Sequence, residues 1–395
     1  MMTVIQRRQA LFTFFLLAGI AVASWVTRTP AIRDQLGVSI AEMGLILFSI
    51  SVGAMSGVLS SGKFVQRWGT KPVIRAGMLT MWLGLAIMAV GLASTLALMV
   101  ALGLMLFGLG IGLGEIALNV EGAEIERIMQ RPALAMLHAG FSLGTFLGGM
   151  LGIALTSIHF PVTWHLALTA LAGIPMTLWG LRAIPGGVGV ESASEADVDD
   201  ANTQPFKPWR DTQLMCISLI VLGMALAEGS ATDWIPILMV DEHHVSAAIG
   251  SMVYTGFAGM MALGRFSGHF FLTHFSRVSV VRTSALLGLI GIGMVIFTNH
   301  PYIAAIAVLF WGLGTSLGFP LTISAAGDTG HHATARVSIV ATAGYVAFLA
   351  GPPLLGFIGE HYSLRHALLV VLFFVGLAFF LARAVAPHMK ESHSR

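Results

Sequence analysis

Long apolar runs alternate with short polar segments along almost the whole of this 395-residue chain. A helix needs about 20 apolar residues to cross a bilayer core that is about 30 Å thick. Twelve runs reach that length, so the pattern predicts an all-α membrane protein with twelve transmembrane helices. The predicted spans cover 9–30, 41–64, 73–93, 96–120, 134–157, 163–183, 212–236, 247–271, 280–298, 301–325, 336–358 and 365–386.

The composition agrees with this pattern, because 56% of the residues are hydrophobic and only 10% are charged. A soluble domain carries about 25% charged residues. The net charge of +2 gives no reason to expect a nucleic-acid partner. One cysteine, Cys216, rules out a disulfide within the chain, and the 14 histidines show no metal-ligand spacing. We therefore expect no metal, no cofactor and no enzymatic activity, since no nucleophile–base pair stands out either.

Basic residues predict the orientation of the spans, because Lys and Arg accumulate in cytoplasmic loops. With the N-terminus inside, the predicted outer loops hold only Arg28, Arg33 and Arg365. The other 18 of the 21 basic residues (21 − 3) lie at inner ends or in inner loops. An even number of spans then predicts that both termini are cytoplasmic.

The chain divides into two repeated halves. Residues 184–211 are rich in glycine and acidic residues and predict a flexible cytoplasmic linker between bundles 1–183 and 212–395, the second ending in a short cytoplasmic tail. The sequence Phe-Gly-Leu-Gly ending at Gly110 matches Trp-Gly-Leu-Gly ending at Gly314, a shift of 204 positions. A parallel duplication of six spans is typical of transporters whose binding site lies between two bundles.

The segment after the second span resembles the loop signature of the major facilitator superfamily, Gly-x-x-x-Asp-Arg-x-Gly-x-Lys. The matching positions are Gly62, Gln66, Arg67, Gly69 and Lys71. The resemblance implies two pseudo-symmetric six-helix bundles and a gate at the cytoplasmic side, to which we also assign Glu124 and Arg277. Because the signature's Asp is Gln66 here, the gate's ion pair is weakened or replaced. The alternative is a positively charged inner loop with no gating role.

The fourth span contains Glu115-Ile-Ala-Leu-Asn119-Val, which resembles the Glu-x-x-x-Asn-Pro element of the fucose–galactose–glucose proton symporters. The resemblance implies that Glu115 takes part in proton coupling. Two features of that family are absent, since its proline is Val120 here and the first span holds no acid. Over nearly its whole length the chain resembles the MosC-like branch of the superfamily, which implies a bacterial inner membrane. The stretches that carry this likeness are 25–34, 227–234 and 318–325.

Glu115 and Asn119 are one helical turn apart and therefore share a face. A carboxyl group within a span is costly, so it marks a functional site unless it only bonds a neighbouring helix in its protonated form. We interpret Glu115 as the proton carrier. His138 in the fifth span is either its proton partner, a ligand contact or a structural hydrogen bonder.

The seventh span holds a second acidic pair, Glu228 and Asp233, whose spacing of five places them on different faces. We expect Glu228 to face the cavity and Asp233 to lie near the outer mouth. Gly229 and Ser230 between them indicate a broken or flexible segment, of the kind that lines transporter sites. Arg28 is expected to pair with Asp233, to meet an anionic solute or to lie among the headgroups.

Aromatic residues recur near the proposed cavity, and their rings can stack on a flat solute or a sugar face. We expect about half of them to contact solute, and the remainder to pack between helices or face lipid. The candidates are Trp25, Phe141, Trp234, Tyr254, Phe257, Phe319, Tyr345 and Phe348.

Together these features predict a monomeric transporter in the lipid bilayer that moves a small polar or flat heteroaromatic solute by proton symport. Asn119, His138 and Glu228 would bind solute or assist Glu115, while the two bundles rock about the site. Two alternatives remain open at this stage. One is a proton-coupled exporter of toxic small molecules, which has the same architecture, and the other is a membrane sensor that binds without transport.

Overall fold

The computed structural model describes residues 4–129, 134–190, 208–328 and 333–386. Most of the predicted linker, 191–207, and the tail 387–395 lie outside the described residues. Every regular element in the described ranges is a helix, which agrees with the predicted fold class.

The described residues of the first half contain seven α-helices, of which α2 is a short helix between the first two spans. They are α1 (Val4–Val26), α2 (Thr29–Leu36), α3 (Ile40–Trp68), α4 (Thr70–Ala93), α5 (Ala97–Met129), α6 (Leu134–Ser157) and α7 (Val162–Gly180), followed by a 3₁₀ turn at Leu181–Ala183. We call the end of the molecule where α1 begins and α7 ends the linker end.

The second half, where it is described, also contains seven α-helices, but here one span is split into two pieces. They are α8 (Thr212–Asp241), α9 (Ala247–His274), α10 (Arg277–Phe297), α11 (Pro301–Thr315), α12 (Gly318–Gly327), α13 (Ala333–His361) and α14 (Leu364–Leu381), with 3₁₀ turns at Pro208–Arg210 and Ala382–Val385. Counting α11 and α12 as one span, the described residues hold twelve helices long and apolar enough to cross a membrane. The predicted number of spans is therefore confirmed.

The same glycine contact holds helices together in both halves. A Cβ atom added to Gly84 of α4 would lie 2.5 Å from the backbone nitrogen of Phe107 in α5. In the second half, a Cβ added to Gly291 of α10 would lie 2.5 Å from the backbone nitrogen of Trp311 in α11. Both helix pairs approach so closely because glycine has no side chain at the crossing. The duplication seen in the sequence is therefore also a duplication of packing.

The prediction of a broken segment at Gly229 and Ser230 is wrong, because α8 is continuous through both residues. Gly229 instead makes room for the ring of Phe348, whose Cδ1 would lie 2.9 Å from an added Cβ. The break lies in the tenth span, between α11 and α12. Pro320 has no N–H to donate to the carbonyl of Ser316, four residues earlier, so the helix cannot continue smoothly there.

The two halves meet along α3 against α13 and along α6 against α9. The end opposite the linker, which we call the closed end, carries contacts between the halves. There Arg33 forms a bidentate ion pair with Asp241, and the Glu360 carboxylate accepts hydrogen bonds from the N–H groups of Ile40 and Ala41 at 2.9 and 3.2 Å. These contacts join the halves at one end, and the cavities described below lie between the halves.

Candidate functional site

Two cavities lie between the halves and together form the candidate site. The Glu115 cavity has a volume of about 200 Å³, and the Asp233 cavity has a volume of about 230 Å³. Helices α1, α4, α5, α6 and α9 line the first, and helices α1, α3, α8 and α13 line the second. Both cavities therefore draw residues from both halves, which is where the repeat predicted a site.

The Glu115 cavity brings together the acid and the histidine singled out in the sequence. Glu115 is enclosed by the protein, yet solvent in the cavity reaches its side chain. The His138 ring lies 4.8 Å from the ring of Phe15, and its Nε2 is 3.0 Å from Oδ1 of Asn119. Since Asn119 Oδ1 only accepts, that contact places a proton on Nε2 of His138. Asn119 thus fixes the orientation of His138 beside Glu115.

Arg265 of α9 is a site residue that the sequence interpretation overlooked. It lines the Glu115 cavity from the second half of the chain. Its Nη2 donates to Oε1 of Glu228 at 2.8 Å, and its Nε donates to the carbonyl of Ser316 at 3.3 Å. That carbonyl is the one left free by Pro320 at the helix break. A signal was present, because Arg265 lies inside the predicted span 247–271, where a charge indicates function.

The Asp233 cavity adjoins the first cavity through the ion pair between Arg265 and Glu228. Glu228 and Asp233 both line it, together with Gly229 and Thr232 of the same helix. Glu228 lines the cavity, as expected from the sequence. Asp233, which was expected near the outer mouth, lines the same cavity and is only 9% exposed, because the cavity spans a wide sector of α8.

The aromatic candidates fall into two groups. Trp25, Tyr345 and Phe348 line the Asp233 cavity, and Phe141 lines the Glu115 cavity. Tyr254 is buried within electrostatic reach of Asp233 and Glu228.

The remaining three aromatic candidates lie away from both cavity linings. Phe257 is fully buried, with its ring centroid 6.1 Å from that of Trp311. Phe319 packs over Gly344, and Trp234 is buried beside Gly356 where α8 meets α13. These rings support the packing around the cavities.

Arg28 lies apart from both cavity linings. It is 4% exposed and donates a hydrogen bond to the carbonyl of Phe160, not to Asp233 as the sequence suggested. Its guanidinium also lies within electrostatic reach of the buried His165. Arg28 therefore contacts the first half at the closed end, and its predicted role in solute binding has no direct support from this geometry.

The predicted gating residues lie at the linker end, which is where the loop signature places them. Gly69 links α3 to α4 with a φ of 81°, a conformation that favours glycine. Gly62 lies within α3 and Lys71 in the first turn of α4, with the exposed Gln66 and Arg67 between them along the chain. The Arg67 guanidinium lies 5.8 Å from the ring centroid of Trp68.

The two charged residues assigned to the gate each have a partner in their own half. Glu124 accepts two hydrogen bonds from Arg127, at 2.7 and 2.8 Å. Arg277 donates to the Asp328 carboxylate at 2.5 Å. In the described part of the chain, no group of His, Cys, Asp and Glu residues is arranged to hold a metal ion.

Sequence comparisons relate this arrangement to known transporters. The model of the Major Facilitator Superfamily matches residues 10–334 and 217–395. An uncharacterised transporter of Sinorhizobium fredii is 28% identical over 378 residues, which is 95% of this chain and 96% of the relative. The membrane protein MosC of Rhizobium meliloti is 23% identical, covering 91% of this chain and 85% of its own.

Solved structures share the fold. A point mutant of the nucleoside transporter NupG superposes with a TM-score of 0.77 at 14% identity, covering 96% of this chain and 98% of its own. The transporter FucP in its outward conformation gives a TM-score of 0.64 at 15% identity, covering 96% and 98%. At these identities the likeness shows the fold alone.

Proposed function

The chain belongs to the Major Facilitator Superfamily, and from that premise we propose that it is a proton symporter for a small polar or flat heteroaromatic solute. It is a multi-pass membrane protein, and its family and relatives are transporters and not enzymes. The observation that carries the proposal is the Glu115 cavity. There a carboxyl group, a histidine and an arginine from three spans and both halves surround one space.

Glu115 is the proposed proton carrier. A carboxyl group enclosed at membrane depth is strongly disfavoured in its charged form, so it binds a proton readily and releases it when its surroundings change. Arg265 from the second half can supply that change, because its distance from Glu115 depends on how the halves are placed. His138, held by Asn119, is the proposed relay to solvent.

Alternating access follows from the contacts between the halves. The ion pair of Arg33 with Asp241 and the capping of α3 by Glu360 hold the closed end shut. Rocking the halves apart at that end breaks these contacts and exposes the two cavities to the other side. Gly62, Gln66, Arg67, Gly69 and Lys71, with Glu124 and Arg277, form the proposed gate at the linker end.

The proposed orientation places the linker end and both termini in the cytoplasm of a bacterium, with the protein acting as a monomer in the inner membrane. This rests on the excess of basic residues at that end. In the described state solute would then enter or leave on the cytoplasmic side. The direction of net transport under a proton gradient follows from symport and is inward.

The proposal can be tested with purified protein. A thermal-shift screen of sugars, flavins, pterins and nucleosides would supply a ligand, and liposomes would then report its accumulation with and without a pH gradient. We expect Glu115→Gln to retain binding and counterflow exchange but to lose gradient-driven accumulation. Accumulation against the proton gradient would instead identify an exporter, and binding without any counterflow would identify a sensor.

A further inference from the structure

We infer that the Asp233 cavity binds a protonated amine, so that the solute of the proposed transporter is an organic cation at neutral pH. The inference rests on the proposed function in treating the bound molecule as the transported solute and Glu115 as the proton carrier. The cavity itself, its charge and its aromatic lining are properties of the described structure.

The balance of charge across the two adjoining cavities favours a cation. Among the described residues, three carboxyl groups line them, from Glu115, Glu228 and Asp233, whereas the linings contain one arginine, Arg265, and no lysine. Arg265 is already paired with Glu228 at 2.8 Å. One of the two remaining carboxyl groups, Glu115, has the proton as its partner in the proposed cycle. Asp233 is left for the solute.

Asp233 is an acceptor without a partner in the described part of the chain. It is 9% exposed, lines the cavity, and forms no ion pair with any described residue. A buried carboxyl group keeps its charge only beside a cation or hydrogen-bond donors, and otherwise it takes up a proton. A primary ammonium group supplies both, because it carries the charge and three N–H donors.

The lining of the Asp233 cavity also suits a cation. Trp25, Tyr345 and Phe348 contribute aromatic rings to it, and the faces of such rings attract ammonium groups. The indole N–H of Trp25 is buried and donates to no described residue. It offers a hydrogen bond to an oxygen of the solute. The geometry therefore fits an amine that carries a hydroxyl or carbonyl oxygen.

Two matched series of probes test this inference by calorimetric titration of the purified full-length chain at neutral pH. The first series is tryptamine, tryptophol and indolepropionate, and the second is glucosamine, glucose and glucuronate. Each series keeps one ring frame and carries an ammonium group, no charged group or a carboxylate. We expect the amine to bind more tightly than its neutral and acidic counterparts in at least one series.

The variant Asp233→Asn should weaken that amine about 30-fold, the loss expected when one partner of a buried charge pair is removed. Its effect on the neutral member of the same series should be small. Asp233→Glu keeps the charge and should restore part of the preference. Asp34→Asn is the matched control, since the Asp34 side chain is 67% exposed and outside the cavity.

The inference is overturned if no amine binds in either series, if a neutral or acidic member binds as tightly, or if Asp233→Asn leaves amine binding unchanged. Liposome counterflow separates this failure from failure of the transport proposal. Amine binding that depends on Asp233 without counterflow would leave the cation site standing and remove transport. Counterflow of a neutral solute that is insensitive to Asp233→Asn would support transport and contradict the cation site.

Discussion

Helix α5 and its repeat, α11 with α12, begin alike and end differently. Gly108 of α5 packs on the carbonyl of Ile50, and Gly312, 204 positions later, packs in the same way on the carbonyl of Phe257. Beyond these contacts α5 runs on as one helix of 33 residues, whereas its counterpart breaks before Gly318. The shared part is scaffold, and the part of α5 that differs contributes Glu115 to the candidate site.

The difference shows how a duplicated bundle acquires distinct chemistry. At the shift of 204, Glu115 corresponds to Phe319 and Asn119 to Ile323, so the acid and its neighbour occur only in the first half. The second half contributes Arg265 instead, held by the carbonyl of Ser316 at the helix break. The first half therefore supplies the acid of the Glu115 cavity and the second half supplies the arginine, so neither half forms it alone.

The largest expected effect comes from disturbing the shared scaffold. Gly108→Val and Gly312→Val each push a side chain into backbone atoms of a neighbouring helix, which cannot yield as a side chain would. We expect little or no folded protein from either variant, as judged by size-exclusion chromatography after expression. Gly259→Val is the control, because a Cβ atom there meets nothing within 4 Å. Equal recovery of all three variants would contradict the shared role.

A smaller effect should come from an interaction that only the first half has. Glu121 is fully buried and accepts hydrogen bonds from Arg7 Nε and Thr70 Oγ1, both at 2.6 Å, while its repeat position is Ala325. Glu121→Gln should cost about 3 kcal/mol, because Arg7 is left buried without its counter-charge. Thermal unfolding in detergent would measure this loss.

Replacing both partners of that pair sharpens the test. The double variant Arg7→Met with Glu121→Leu should recover most of the stability, since apolar pairs of similar volume often substitute for buried ion pairs. Glu124→Gln on the same helix should change the unfolding temperature little, because its partner Arg127 is 72% exposed. A double variant as unstable as Glu121→Gln would show that Glu121 acts through other contacts.

At the closed end the halves contribute opposite charges. Arg33 and the N-terminus of α3 come from the first half, while Asp241 and Glu360 come from the second. The hydrogen bonds to Asp241 raise the pKa of the Arg33 guanidinium, so this charge persists at all ordinary pH values. Arg33→Gln should favour opening by about 1 kcal/mol, roughly a fivefold shift in population.

Double electron–electron resonance between spin labels would measure this shift in the population of the opened state. Labels at Leu98 and Tyr362 suit the purpose, because both side chains are exposed and each half carries one. The longer-distance population should grow in Arg33→Gln and grow less in Glu360→Gln, since capping a helix terminus contributes less than a bidentate ion pair. An unchanged distance distribution in Arg33→Gln would mean that apolar packing alone keeps this end shut.

The smallest expected effect is a pH dependence of stability that comes from a histidine of the second half and has no counterpart in the first. His243 of the second half corresponds to Gly37 at a shift of 206, and burial together with the nearby Arg365 lowers the pKa of His243 to about 4. The folded-state pKa lies below the unfolded value of 6.5, so stability is complete above pH 6.5 and declines as pH falls towards 4. Between pH 7 and pH 6 the loss is about 0.7 kcal/mol. Melting curves of His243→Gln should lack this component; an identical pH dependence would contradict the assignment.

Much of the fold could be predicted because the length of each span depends on one continuous apolar run in the sequence. The count of twelve followed from apolar runs, but α5 extends to Met129, past the predicted end at residue 120. Helical hydrogen bonding continues there through charged residues that hydropathy does not recognise as a span. The break expected at Gly229 is absent, since this glycine serves close packing. The observed break lies near Pro320, where proline removes a helical hydrogen bond.

The candidate site could be predicted only in part. Glu115 and Asn119 were visible because one helical turn separates them, and His138 because a histidine is unusual in an apolar span. The pairing of Arg265 with Glu228 and of Arg7 with Glu121 joins residues 37 and 114 positions apart, and no spacing rule reveals such contacts. Likewise, a ring that packs cannot be told from a ring that lines a cavity until the neighbouring helices are placed.

The central claim is that proton coupling depends on the carboxyl group of Glu115, which α5 has and its repeat lacks. The most direct test is solute accumulation in liposomes under an imposed pH gradient, with counterflow measured in the same preparations. The account predicts that Glu115→Gln abolishes accumulation and retains counterflow, while Phe319→Leu at the repeat position retains both. Accumulation in Glu115→Gln at the level of the unaltered protein would contradict it.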